Sequence, residues 1–209
     1  VVTWGDGSYG GDSSSVSDSI TSGVKTIYSN QYAFAAIKED GGVVSWGHSS
    51  YGGVSSSVSS NLTSGVKTIY STGSAFAALK EDGSVVTWGH SSYGGDSSIV
   101  SGSITSGVKE IYSTNVAFAA LKEDGSVITW GDGSYGGDSS SVSDSITSGV
   151  KTIYSTGGAF AALKEHGGVV SWGHSSFGGD FSSVSGNLTS GVKTIYSNYY
   201  AFAALKEDG

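Results

Sequence analysis

Residues 66–89 read Val66-Lys-Thr-Ile-Tyr70, then Ser71-Thr-Gly-Ser74, then Ala75-Phe-Ala-Ala-Leu-Lys-Glu-Asp-Gly-Ser-Val-Val-Thr-Trp-Gly89. The first run is β-branched and alternating, the pattern of a strand. Asp82-Gly83 is a hairpin-turn signal between two apolar runs. The Val-Val-Thr-Trp run is a further strand, stopped by Gly89. The middle segment has good helix propensity. At about seven residues it is short for a helix, and it leads directly into the hairpin turn. It is read as a strand, with a one-turn helix in a strand–helix solenoid as the alternative.

The same reading applies to residues 24–53. Val24 to Tyr28 is a strand, and Asn30, Gln31 and Tyr32 form a short loop. Ala33 to Lys38 is the second strand, Glu39 to Gly42 the hairpin turn, and Val43 to Trp46 the third strand. His48 to Gly53 is a glycine-rich turn, and the Ser-rich stretch after it is read as room for a fourth, edge strand.

Working outward, the Trp-Gly pair recurs at Trp4, Trp46, Trp88, Trp130 and Trp172, always 42 residues apart. Such a period marks a repeat architecture. The expected organisation is one all-β repeat domain over residues 1–209, in units 1–42, 43–84, 85–126, 127–168 and 169–209. The architecture expected is a five-unit β-propeller of 42-residue blades. Residues 201–209 supply the first half of a hairpin and residues 1–5 the second half, so the termini are expected to share one blade and leave no edge there. A second periodicity works against this. Units 1 and 4 share Gly-Asp-Gly-Ser-Tyr and Ser-Asp-Ser-Ile-Thr, and units 2 and 5 share Val-Val-Ser-Trp-Gly-His-Ser-Ser and Asn-Leu-Thr, an order A-B-C-A-B. An open repeat array, or part of a larger ring, is therefore the alternative.

The run from Val66 to Gly89 resembles the repeat of the regulator-of-chromosome-condensation family. It is still more similar to the short-repeat version in a secreted bacterial β-lactamase inhibitor. The shared features are the Asp-Gly hairpin, the Trp-Gly that ends the next strand, and the following Tyr-Gly-Gly. The resemblance implies a β-propeller. Family repeats usually carry a Gly and a His before the Ala-Leu strand, where this sequence has Ser71-Thr-Gly-Ser74 and Phe76. The founder's nucleotide-exchange activity depends on an inserted wedge, and these units have uniform length. The resemblance thus carries over the fold and not that activity.

Composition narrows the function. With no Cys there is no disulfide, thiolate metal site or thiol nucleophile. All basic residues are Lys, spread evenly through the units, and the net charge is −8. That is no footprint for nucleic acid, which needs clustered basic residues, nor for an anionic membrane surface. No apolar run approaches the roughly 20 residues of a membrane-spanning helix, so no membrane insertion is expected.

Comparison of the copies locates a candidate site. Between units 1 and 4, and between units 2 and 5, 6 of 13 differences fall in 3 of 42 positions. These are the triplets Asn30-Gln31-Tyr32, Thr72-Gly73-Ser74, Thr156-Gly157-Gly158 and Asn198-Tyr199-Tyr200; unit 3 carries Thr114-Asn115-Val116. The turn after Trp-Gly also varies, as Asp6, His48, His90, Asp132 and His174. Antiparallel strand order brings both variable sites of a unit to the same end of its sheet. Variable tips on a constant frame suit recognition, and Tyr gives large contact area at low entropic cost. Unconstrained drift of loop tips is the competing reading.

Other chemistries fit poorly. The His/Asp positions lie in different units and match no local metal pattern. Asp6 to Asp12 lacks the acid density of calcium loops. No Gly-x-Ser-x-Gly elbow opens a helix, and near-equivalent units give no single special constellation. No cofactor and no enzymatic activity are expected. Asn61-Leu-Thr63 and Asn187-Leu-Thr189 match a glycosylation acceptor, which has meaning only in a eukaryotic secreted protein. The expected function is a binding module that presents the loop tips to a protein or glycan partner. The alternative is a structural repeat segment of a bacterial surface, matrix or filament protein. That segment would self-assemble if the ring is not closed. Either way the expected location is extracellular or at the cell surface.

Overall fold

The computed structural model describes residues 1–209. It divides into two compact parts, Val1–Ser106 and Gly107–Gly209. In the first part β1 (Val24–Ser29), β2 (Ala33–Lys38) and β3 (Val43–Gly47) form one antiparallel sheet, in that order. Strands β4 (Val66–Ser71), β5 (Ala75–Lys80) and β6 (Val85–Gly89) form the next. In the second part β7 (Val108–Ser113), β8 (Ala117–Lys122) and β9 (Val127–Gly131) form a third sheet. Strands β10 (Val150–Ser155), β11 (Ala159–Lys164) and β12 (Val169–Gly173) form a fourth. Strand β13 (Val192–Ser197) pairs with β14 (Phe202–Lys206) in a sheet of two strands.

The Ala-Phe-Ala-Ala segment is a strand in every repeat, because both its faces are needed. Ala33, Ala35 and Ile37 on one face of β2 pack against Phe76 and Ala78 of β5, with Ile69 and Trp88 beside them. A helical turn would bury one face only. The alanines let the two sheets approach closely, and Phe and Trp fill the space between them. The first strand of each sheet carries a β-bulge: Val66 opposes Lys80, whereas Thr68 opposes Leu79. The extra residue, Lys67, puts Val66 and Ile69 on the same buried side although they are three positions apart. The hairpin turn locks the next repeat, with the Gly41 carbonyl accepting from Val66 N–H at 3.0 Å and that of Gly125 from Val150 N–H at 3.0 Å.

One expectation needs correction. The Ser-rich stretch holds no fourth strand; residues Ser56–Leu62 are 3-10 turns. Serine hydroxyls bond locally to the backbone, as in Ser59 Oγ to Ser56 C=O at 3.0 Å, which competes with a sheet ladder. The only apolar residues there, Val58 and Leu62, anchor the turns against the core. Val1–Gly5 belong to no strand, and β14 pairs with β13.

Glycine is obligatory at one point of each turn. Gly136 has φ +105°, and a Cβ there would lie 2.6 Å from the Phe160 ring. Gly102 has neither constraint, with nothing within 4 Å of an added Cβ. Gly136→Ala is therefore expected to destabilise by roughly 2–4 kcal/mol in denaturant unfolding, and Gly102→Ala to stay within about 0.5 kcal/mol.

Acid sensitivity follows from the turns as well. Hydrogen bonds from the backbone N–H of Ser14, Ser98, Ser140 and Ser182 hold the carboxyls of Asp12, Asp96, Asp138 and Asp180 below the ordinary range. The Ser84 and Ser126 hydroxyls do the same for Asp82 and Asp124. Depressed carboxyls contribute stability above their unfolded range and lose it as pH falls through the folded values. The melting temperature should fall between about pH 5 and pH 2, and less steeply in a chain carrying Asp82→Asn and Asp124→Asn.

Candidate functional site

The triplets join the first strand of each sheet to the second, and their first residue is an anchor. Asn30 Oδ1 accepts from Tyr32 and Ala33 N–H, both at 2.8 Å, and Nδ2 donates to the Tyr51 carbonyl at 2.7 Å. Thr72 does the same with one hydroxyl, donating to the Tyr93 carbonyl at 2.9 Å and accepting from Ala75 N–H at 3.1 Å. Thr156 repeats the pattern with Phe177 and Ala159. Asn198 Oδ1 accepts from Tyr200 and Ala201 N–H. The position is Asn in two units and Thr in three, because both can serve the loop N–H groups.

The third residue meets the variable turn. His48 N–H donates to the Tyr32 carbonyl at 2.9 Å, and His90 N–H to that of Ser74 at 2.9 Å. Asp132 pairs in this way with Val116 at 3.0 Å, and His174 with Gly158 at 2.9 Å. Adjacent triplets also touch: Gln31 N–H reaches the Gly73 carbonyl, Asn115 N–H that of Gly157, and Gly157 N–H that of Tyr199.

Side chains of the two variable sites form ring clusters. In the first part Tyr32 lies 5.6 Å from Tyr9 and 4.6 Å from Tyr51, and His48 lies 4.5 Å from Tyr51. Tyr51 continues to His90 at 5.7 Å, and His90 to Tyr93 at 5.1 Å. In the second part His174 stacks on Tyr135 at 4.9 Å and meets Phe177 at 5.4 Å. Phe177 in turn meets Tyr199 and Tyr200, which lie 4.8 Å apart. Asn115 Nδ2 donates to the Tyr199 hydroxyl. Tyr199 and Tyr200 are 51% and 63% exposed.

The small triplet residues act by leaving room. Gly157 and Gly158 are buried. A Cβ on Gly157 would lie 2.7 Å from the Tyr199 ring, and one on Gly158 would lie 2.7 Å from the Tyr135 ring. Ser74 is buried, Gln31 is exposed, and Gly73, Asn115 and Val116 are half-buried. In the turns, Asp6 and Asp132 carboxylates accept from Ser8 and Ser134 N–H. His174 Nδ1 accepts from Ser176 N–H at 3.2 Å, whereas the Nδ1 atoms of His48 and His90 have no partner. Sequence reading missed Tyr9, Tyr51, Tyr93, Tyr135 and Phe177, which belong to the near-constant Tyr-Gly-Gly. Their signal is spacing, three residues after each variable turn position.

The arrangement offers half-exposed aromatic faces and phenol hydroxyls on a hydrogen-bonded frame, suited to packing and hydrogen bonding with a ligand. Tyr112, away from these tips, has its phenol pushed up to about 12 by burial.

No family model and no curated protein matches the sequence. Solved structures do match in fold. Prp20p of Saccharomyces cerevisiae, described for its binding properties to Gsp1p and histones, superposes with a TM-score of 0.54 at 17% identity over 89% of this chain and 56% of that one. A second structure has yeast RCC1 (Prp20) bound to Kap60, with a TM-score of 0.55 at 16% identity over 89% of this chain and 54% of that one. Human WBSCR16 gives 0.52 at 18% identity over 88% of this chain and 60% of that one. The chain therefore has the RCC1-type β-propeller fold and spans little more than half the length of these neighbours.

The anchor generates a test. Thr72→Val removes both hydrogen bonds at a buried site and is expected to lower stability by about 1–2 kcal/mol. Thr72→Asn, the residue at positions 30 and 198, should cost less than half as much in the same denaturant titration.

Proposed function

We propose that the chain is a non-enzymatic interaction module whose loop tips bind a protein partner. The observation that carries the reading is the coincidence of variation and exposure. The positions that differ most between copies build a ring cluster in which Tyr199 and Tyr200 stand more than half exposed. Drift alone gives no reason for Gly157 to be the residue that admits the Tyr199 ring. The frame beneath is hydrogen-bonded at each triplet, so little ordering cost is incurred on binding.

A protein partner is favoured over a glycan by two supports. The yeast neighbour of the same fold is described for binding Gsp1p and histones. The repeat also resembles that of a secreted inhibitor that acts on a protein, which supports an extracellular or cell-surface setting for this chain too. The near-equivalence of the repeats supports binding rather than catalysis, since an active site needs one repeat to differ from the rest.

The test is a chain carrying Tyr199→Gly and Tyr200→Ser, the residues of unit 2. Immobilised parent and variant are exposed in parallel to secreted proteins and to a glycan array. The proposal expects at least one protein retained by the parent and retained about tenfold less by the variant, with melting temperatures within a few degrees. Equal retention by both chains contradicts the tip reading, and retention of glycans alone contradicts the protein assignment.

A further inference from the structure

Charge is divided unevenly between the two ends of the sheets, and each part of the chain shows the division by itself. In Gly107–Gly209 every Lys is either the second residue of a first strand, as Lys109 in β7, or the last residue of a second strand, as Lys122 in β8. Val108 opposes Lys122, so both kinds stand at the end that carries the hairpin turn. Glu110, Glu123, Asp124, Glu165, Glu207 and Asp208 stand at that end too, six acids against six Lys. The remaining acids, Asp132, Asp138, Asp144 and Asp180, all follow Trp-Gly and precede the next first strand, a stretch that holds no Lys in any repeat. Val1–Ser106 has four Lys and four acids about its hairpin turns, and Asp6, Asp12, Asp18 and Asp96 after Trp-Gly. The net charge of −8 thus resides wholly in those stretches.

In the second part three of these carboxylates flank the ring cluster. Gly137 N–H donates to the Asp132 carbonyl at 2.8 Å, which brings Asp138 beside the turn of Asp132 and Tyr135. Gly179 N–H donates to the His174 carbonyl at 3.0 Å and brings Asp180 beside the turn of Phe177 in the same way. Tyr135 stacks on His174, and Phe177 meets Tyr199 and Tyr200. Each carboxylate is fixed: Oδ1 of Asp132, Asp138 and Asp180 accepts from Ser134, Ser140 and Ser182 N–H at 2.9, 2.8 and 2.9 Å. Asp138 and Asp180 are exposed, which leaves Oδ2 to accept from a partner. Their carboxyls are held below the ordinary range by those backbone N–H groups and are ionised at neutral pH. The chain's own Lys do not neutralise them. Lys164 and Lys206 are tied by Nζ to the Ser145 and Asn187 carbonyls at 2.6 and 2.9 Å. At a rise of about 3.3 Å per residue the strands put roughly 15 Å between hairpin turn and tip, nearly twice the screening length of about 8 Å at physiological salt.

We infer that the protein partner meets these tips with a cationic surface, its Lys and Arg side chains pairing with Asp132, Asp138 and Asp180 and lying over the exposed rings of Tyr199 and Tyr200. This partner chemistry rests on the binding role proposed above for the tips and adds what they select. A cation over a Tyr face is attracted by the ring quadrupole, and a guanidinium can pair with a carboxylate through its fork at the same time. Carboxylates with no cation among them speed the approach of a cationic surface and repel an acidic one. An uncharged glycan gains nothing from that field. Charge kept only for solubility needs no such division, because it would serve equally well at the hairpin end.

The experiment selects a displayed library of random dodecapeptides on the immobilised full chain at low salt and compares the retained pool with the input. The retained pool is expected to be enriched in Lys and Arg. Its retention should fall about tenfold at high salt, and about tenfold in a chain carrying Asp138→Asn and Asp180→Asn. The Asn side-chain oxygen still accepts from Ser140 and Ser182 N–H, so the turns keep their shape. A chain carrying Glu123→Gln and Glu165→Gln loses the same charge at the hairpin end and should retain the pool as the parent does. A pool no richer in Lys and Arg than the input overturns the inference. If that pool is nonetheless lost with Tyr199→Gly and Tyr200→Ser, the tips bind and only the cationic chemistry is wrong. Equal loss with both pairs of charge changes also overturns it, because it shows diffuse attraction to an acidic chain. Lys- and Arg-rich peptides held undiminished by the Tyr199→Gly, Tyr200→Ser chain contradict the tip reading and this inference with it.

Discussion

The hydrogen bond from a tryptophan indole to a glycine carbonyl 36 residues earlier organises the repeats of Trp46, Trp88 and Trp172. Trp46 reaches Gly10 at 3.2 Å, Trp88 reaches Gly52 at 3.0 Å and Trp172 reaches Gly136 at 3.1 Å. A buried indole N–H left without a partner would cost about 1–3 kcal/mol, so the turn must present its carbonyl at one place. That placement needs the left-handed glycine, and the glycine's missing Cβ leaves space for the Phe ring that stacks on the same Trp, 5.2 Å away for Phe76 and Trp88. The residue before that glycine, Tyr93 or its equivalent, offers its carbonyl to the triplet anchor. Core, turn and loop tip are therefore one connected constraint, and a tip can vary only around its anchored first residue.

Much of this was legible in the sequence, for physical reasons. The strands follow from two-residue alternation and the Asp-Gly turn, and antiparallel order suffices to place triplet and turn together. The Ala-Phe-Ala-Ala segment was ambiguous by propensity. What decides it is burial on both faces, which depends on the neighbouring sheet. The serine stretch was misread because abundance of small polar residues does not distinguish an edge strand from 3-10 turns, and local hydroxyl bonds decide for the latter.

The site was legible only in outline. Asn30 and Asn198 looked like variable surface residues, and their role as anchors rests on loop N–H groups and, for Asn30, on Tyr51 21 residues away. The tyrosines of Tyr-Gly-Gly looked like frame, because they barely vary, yet their rings join the variable side chains. Constant and variable residues share one surface, and comparison of copies finds only the variable half.

Native-state hydrogen exchange at the indole nitrogens tests the packing account most directly. The indole N–H groups of Trp46, Trp88 and Trp172 should exchange as slowly as the backbone amides of β2, β5 and β11, opening only with global unfolding. Exchange of those indoles orders of magnitude faster than the strand amides would show that the glycine contacts open on their own, and would contradict the claim that they hold these three repeats to the turns before them.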